Sequence, residues 1–123
     1  FRYFNVYGER QPTRGQYAPV IGLFKKQKDN GEPMTVVGDG LQTRDYTHVS
    51  DVVNANLLAA ESDNVGNGEL INIGAGKSYS VMDLVDMIGE SRHTLADISR
   101  ANMLLNWNPK VKLENWLEEN KWK

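Results

Sequence analysis

Apolar residues recur along this chain with two periods, and the changes between them mark out its elements. Phe1 to Val6 is an aromatic and β-branched run that predicts a strand entering a loop at Tyr7-Gly8. Glu9 to Gly15 is a polar connection. From Tyr17 to Asp29, the residues Tyr17, Val20, Ile21, Leu23 and Phe24 fit one helical face. Lys25, Lys26 and Lys28 suit its C-terminal dipole end, and Gly31 and Pro33 stop it. Met34 to Val37 predicts a short strand. A helix follows from about Asp51 to Glu61, with Val52, Val53, Leu57 and Leu58 facing inward. After a loop at Asp63 to Gly68, Glu69 to Ile73 predicts another strand, stopped by Gly74-Ala75-Gly76. Ser80 and Asp83 match a capping box, so a helix starts there and runs to about Ile88. Asp97 caps a further helix carrying Ile98, Ala101, Leu104 and Leu105, which Trp107-Asn108-Pro109 breaks. Leu113, Trp116 and Leu117 mark a last amphipathic helix. Short strands alternating with helices give an α/β or α+β fold.

The densest chemistry lies between the Met34–Val37 strand and the helix opening at Ser50-Asp51. There a Gly38-Asp39-Gly40 turn is followed closely by Arg44, Asp45 and Tyr46. A polar cluster between a strand and a helix start is fixed in space by both, which suits a ligand site. The alternative is a surface turn before a capped helix. Arg44 would then pair with Asp45, a contact worth under about 1 kcal/mol.

Composition narrows the choice. A length of 123 residues fits one small domain and is short for a complete enzyme. The net charge of −2 offers no footprint for nucleic acid or an anionic membrane. With no cysteine, disulfides and thiolate metal sites are excluded, and a reducing cytoplasm is the expected setting. Two histidines, His48 and His93, argue against a histidine-built metal site. The apolar runs are too short to span a membrane. The start at Phe1, in strand-like sequence, is expected to be part of something longer. The glycine pairs Gly38/Gly40, Gly66/Gly68 and Gly74/Gly76 lack the third glycine and the helix of a dinucleotide loop, and read as turn-makers. His48 reads as a structural hydrogen-bonding residue.

Four signatures in order resemble one family. They are Arg-Tyr-Phe-Asn-Val-Tyr-Gly at Arg2–Gly8, Gly-Asp-Gly-Leu-Gln-Thr-Arg-Asp-Tyr-Thr-His-Val-Ser-Asp at Gly38–Asp51, Asn-Ile-Gly-Ala-Gly at Asn72–Gly76, and Leu-Ala-Asp-Ile-Ser at Leu95–Ser99. The chain resembles the C-terminal, substrate-binding half of the extended short-chain dehydrogenase/reductases that act on nucleotide sugars. Its nearest-looking members are UDP-glucose and UDP-N-acetylglucosamine 4-epimerases. The resemblance implies a small α/β lobe closing over a UDP-sugar, beside a Rossmann domain that binds NAD. The family's Tyr-x-x-x-Lys pair, its partner Ser or Thr and its NAD fingerprint are absent from this chain. Alone, the chain is therefore expected to catalyse nothing. Family members are commonly dimers, so a homodimer is an expected assembly.

The family's roles carry over residue by residue. Asn5 matches the asparagine that donates its amide to the substrate diphosphate, and otherwise serves as a turn residue. Tyr3 matches a position near the nicotinamide, though an aromatic in a strand could equally be core. Gln16 and Tyr17 fall where the family contacts nucleotide and sugar. Thr35 to Val37 match a strand whose backbone reads the uracil edge, with Val37 against the base. Arg44 matches the arginine that binds the diphosphate, the natural bidentate partner of phosphate oxygens, with Tyr46 beside it. Val81 matches an apolar contact to base or ribose, and Glu90 an acceptor for ribose hydroxyls. One departure stands out: Gly89-Glu90 follows Met87-Ile88 directly, without the family's strand and second phosphate-binding arginine. A 4,6-dehydratase or UDP-glucuronate decarboxylase is the neighbouring alternative, and a non-catalytic nucleotide-sugar-binding module is the alternative of another class.

Overall fold

The computed structural model describes residues 1–15, 18–87 and 96–120. Its first strands are β1 (Arg2–Tyr3) and β2 (Val6–Tyr7), followed by helix α1 (Val20–Asp29). Then come β3 (Thr43–Asp45), β4 (Thr47–His48) and α2 (Val49–Glu61). The remaining elements are β5 (Asn72–Ile73), β6 (Ser78–Ser80), α3 (Val81–Asp86), α4 (Ser99–Leu105) and α5 (Leu113–Glu119). β1 pairs in parallel with β5, β2 in parallel with β4, and β3 antiparallel with β6. The fold is α/β with parallel strands, and α2 lies between the paired strands β1 and β5 in chain order.

The expected strand from Phe1 to Val6 is broken at Asn5, and the break is informative. Phe4 still bonds to Ile73 through its N–H at 3.1 Å, whereas the Asn5 carbonyl accepts from the Thr47 N–H at 3.3 Å. The chain therefore changes partners at Asn5, which takes a φ of 33° to make the bend. Asparagine tolerates the left-handed region better than most residues because its short amide can bond locally. Here the Asn5 amide donates to the Asp45 carbonyl at 2.9 Å. The bend and its hydrogen bond tie β1 to the stretch carrying Arg44.

Two apolar clusters hold the elements. One joins Tyr7 of β2, Ile21 and Phe24 of α1, Tyr46, Tyr79 of β6 and the α5 residues Leu113, Trp116 and Leu117. The other joins Ala55 of α2, Ile71, Ile73 of β5, Ala101 and Leu105 of α4, and Trp107. Helix α1 begins at Val20 because Pro19 disfavours helical geometry in the residue before it. Helix α3 carries both halves of its capping box: Ser80 Oγ accepts from Asp83 N at 2.9 Å and Asp83 Oδ2 from Ser80 N at 2.7 Å. Ser80→Ala is expected to lower stability by about 1 kcal/mol in urea unfolding, the usual worth of such a cap.

Two expectations are corrected. Residues 32–37 form no strand, because side chains occupy the backbone groups a ladder would use. Gln27 accepts from Thr35 N at 3.2 Å and donates to Thr35 Oγ1 at 2.8 Å, while Gln42 donates to the Val37 carbonyl at 3.1 Å. On α2, Val53 and Leu57 face outward, 53% and 59% exposed, in line with the exposed Val49. The helix instead buries Asp51 and Ala55, with Val52, Leu58 and Ala59 packed at the margin. Asp51 is buried because its carboxylate accepts from Lys110 N and Val111 N, at 3.1 and 3.2 Å.

Candidate functional site

The strand-turn-helix stretch delivers its polar residues to two adjoining places. The first is a cavity of about 250 Å³ lined by Asn5, Val6, Tyr7, Pro19, Val20, Ile21 and Tyr46. Asn5 and Tyr46, far apart in sequence, meet there because β2 and β4 run side by side. Arg44 lies one residue before the carbonyl that holds the Asn5 amide. It sits opposite Tyr79 in the β3–β6 pairing, half-buried, with its guanidinium donating to the Thr43 carbonyl at 3.3 Å. Strand pleating turns Arg44 and Asp45 to opposite faces, so the surface ion pair between them is not formed.

The second place surrounds the Gly38–Gly40 turn. Gln42 joins it to the start of α3: its side chain holds the Val37 carbonyl, and its own carbonyl accepts from Val81 N at 2.8 Å. Met82 N donates to the Gly40 carbonyl at 2.9 Å. Val37, Leu41 and Met82 are exposed around this turn, whereas Val81 is buried beneath it. The Thr35 N–H is held by Gln27, so a ligand that uses it must displace that amide.

Tyr3 stands apart from both places. It is exposed, it exchanges hydrogen bonds with Asn56 of α2 at 2.9 and 3.1 Å, and its ring meets Phe1 edge-on at 6.1 Å. It is not a core residue. Gln16, Tyr17 and Glu90 lie outside the described residues, as does the expected place of the second phosphate-binding arginine.

The role of Asp45 carried no signal legible in the sequence. Asp45 is buried and accepts from Ala75 N at 2.7 Å, Gly76 N at 2.8 Å and Ala96 N at 3.2 Å. Burial pushes its carboxyl up from the usual carboxylate range, and those three N–H bonds pull it part of the way back. His48 caps α2 with its imidazole: Nδ1 accepts from Ser50 N at 3.3 Å and lies 2.7 Å from Ser50 Oγ. Its ring packs edge-on against Tyr7 at 5.2 Å, and Glu9 accepts from Trp116 Nε1 at 2.9 Å nearby. The structural reading of His48 holds.

Behind Tyr46 a second cavity of about 240 Å³ is lined by Lys77, Tyr79, Val111, Leu113 and Glu114. Lys77 pairs with Glu114 and lies 4.8 Å from the centre of the Tyr79 ring. Burial alone would raise the Glu114 carboxyl, but hydrogen bonds from Lys77 and Tyr79 overcome it and bring it from 4.5 to about 2. Above pH 4.5 this group is ionised in both folded and unfolded chains, and its stabilisation is complete. As pH falls towards 2 the unfolded chain takes the proton first and the stabilisation is lost. Glu114→Gln is expected to cost under about 1 kcal/mol at pH 7, because the pair is partly exposed and screened. The difference should close as pH falls through about 2, read by urea unfolding at low salt.

Among the described residues no group of histidine and carboxylate side chains could hold a metal ion. No described helix is long and apolar enough to cross a membrane.

Residues 1–74, which contain the first place and the Gly38–Gly40 turn of the second, match the family described as NAD dependent epimerase/dehydratase. The chain belongs to that family. The UDP-N-acetylglucosamine 4-epimerase of Methanobrevibacter ruminantium M1, solved with UDP-N-acetylmuramic acid, superposes with a TM-score of 0.84 at 37% identity. That match covers 98% of this chain and 44% of that one. The UDP-glucuronic acid 4-epimerase of Bacillus cereus, solved with UDP-glucuronic acid and NAD, gives 0.81 at 35% identity, covering 95% and 41%. A UDP-N-acetyl-alpha-D-glucosaminuronate decarboxylase of Bacillus cytotoxicus is 41% identical over 97 residues, 79% of this chain and 29% of that protein. The chain thus spans less than half the length of the curated relatives it matches.

The family is NAD-dependent. The Ala75 and Gly76 N–H groups of the Gly74–Gly76 turn are both given to Asp45. Gly40 lies against Met82 and Val36 and Gly38 against Gln42, in a turn that opens no helix.

Proposed function

We propose that this chain is the C-terminal substrate-binding lobe of an NAD-dependent nucleotide-sugar 4-epimerase, and that it holds the nucleotide of a UDP-sugar. One observation carries the reading. The Asn5 amide, which lines a cavity, is bonded to the carbonyl of Asp45, the residue after Arg44, and this ties the strand that carries one phosphate donor to the bend that carries the other. Asn5 uses one amide hydrogen on Asp45 and keeps a second for a ligand. The apolar rim of Val37, Leu41 and Met82 lies towards the Gly38–Gly40 turn, at the right end for a base. In this arrangement the diphosphate is gripped and the sugar projects away, free to turn while its C4 is oxidised and reduced. NAD supplies the hydride chemistry when bound, on parts of the protein other than these residues.

The surface supports a larger partner domain. β1 and β5 form a two-stranded parallel sheet, and parallel sheets in α/β proteins are wider and covered on both faces. Phe1, Tyr3, Val49, Val53 and Leu57 are exposed, apolar surface that a partner domain would cover. The gene gives the first test. The reading requires a glycine-rich βαβ start and a Tyr-x-x-x-Lys pair ahead of Phe1, and a reading frame lacking both would overturn it. The whole product should then invert C4 of a UDP-hexose. The 41% identity to a decarboxylase favours one second reading, in which the product instead releases carbon dioxide from a UDP-uronate.

A further inference from the structure

Asp45 is a buried carboxylate whose two oxygens are taken by three backbone N–H groups. Oδ1 accepts from Ala75, and Oδ2 from Gly76 and Ala96. Its backbone carbonyl accepts the Asn5 amide. One residue thereby joins β3, the Gly74–Gly76 turn, the segment entering α4 and the bend between β1 and β2. The approach is close enough to require glycine at position 74. A Cβ there would lie 2.8 Å from Asp45 Oδ2 and 2.2 Å from Ala96 Cβ. Burying a charge is costly unless its hydrogen bonds are complete, so a residue kept for packing alone would not be an aspartate. A carboxylate is the side chain that offers acceptors only, on two oxygens, to three converging donors.

We propose that Asp45 is a positioning residue for diphosphate recognition: it anchors the backbone between Arg44 and Tyr46 so that the Arg44 guanidinium and the Asn5 amide keep one fixed spacing. The proposal rests on the reading that Arg44 and Asn5 hold the diphosphate. Asp45 touches no ligand itself. Its side chain points away from Arg44, and it acts through the carbonyl that holds Asn5 and through the strand that carries Arg44. Sites of this kind gain from a rigid support beneath the contacting residues.

The test uses Asp45→Asn in the gene product that carries this chain, with UDP and uridine titrated well below the melting temperature. An asparagine presents one oxygen and an amino group, so at least one of the three N–H donors faces another donor. UDP affinity is expected to fall at least tenfold while uridine affinity stays unchanged, because the base end rests on the rim of Val37, Leu41 and Met82. A lower melting temperature with both affinities unchanged would overturn the proposal and leave Asp45 a stability residue. Arg44→Ala, run alongside, separates the two levels. If Arg44→Ala weakens UDP binding and Asp45→Asn does not, only the positioning role falls. If neither does, the diphosphate reading falls as well. Should Asp45→Asn fail to fold, amide exchange in the unaltered protein decides. Saturating UDP, but not uridine, should slow exchange at Ala75, Gly76 and Ala96, since coupling between sites is reciprocal. Unchanged exchange at all three would refute it.

Discussion

Trp107→Ala is expected to destabilise the chain by about 3–5 kcal/mol, the range for truncating a buried tryptophan. Trp107 is almost wholly buried among Ala55, Ile71, Ile73, Ala101 and Leu105. Asn106 ends α4 in the left-handed region at φ 50° and so turns Trp107 into this cluster. The indole also donates through Nε1 to the Asp51 carbonyl at 3.1 Å. The neighbouring Asp51 carboxylate then receives the Lys110 and Val111 N–H groups. Removing the ring therefore opens a cavity and loosens the path of the chain into α5. Domains of this size have a net stability of about 5–15 kcal/mol, so the loss is a large share of it. Urea unfolding followed by circular dichroism checks the value. Trp107→Phe should lose less, because it fills most of the volume and forfeits mainly the N–H. A loss below about 1 kcal/mol for Trp107→Ala would mean that this cluster does not hold the C-terminal segment.

Arg44→Ala carries the largest expected effect on binding. A hydrogen bond to a charged group is worth about 1.5–3 kcal/mol, so UDP affinity should fall about 10- to 150-fold. Arg44→Lys should recover only part of this, because an ammonium cannot make the planar two-pronged contact with phosphate oxygens. The unfolding midpoint should move little in either variant. Arg44 is half-buried on a short strand, and its ring-bearing cross-strand neighbour Tyr79 stays packed in the core. A shift in melting with no change in UDP affinity would assign Arg44 to the structure and remove it from the site.

Helices were more legible in the sequence than strands, for a physical reason. The Ser80/Asp83 box, Gly31 after α1 and the Trp107–Pro109 break are local signals, and local hydrogen bonds decide them. β3, β4 and β6 are two or three residues long and polar, and they exist through partners remote in the chain. Met34–Val37 looked like a strand by composition, but Gln27 and Gln42 had claimed its backbone groups. Periodicity could not choose between the two apolar stripes of α2. The stripe of Val49, Val53 and Leu57 carries the larger side chains, yet the one with Asp51 and Ala55 is inside. A small residue and a fully bonded carboxylate allow the closer packing there.

For the site, the arginine and asparagine were legible by the chemistry of their groups. What made them neighbours was not: the bend at Asn5 and the Asp45 anchor are tertiary facts. The alternative reading made Asp45 a surface partner for Arg44, and the residue is buried instead.

The central claim is that Asn5 and Arg44 together grip the diphosphate of a UDP-sugar. Isothermal titration of UDP into the gene product carrying this chain, unaltered and as the Asn5→Ala/Arg44→Ala double variant, tests it most directly. The account predicts saturable binding that weakens at least tenfold in the double variant while uridine binding is unchanged. Equal UDP affinity in the two proteins, with both folded, would contradict it.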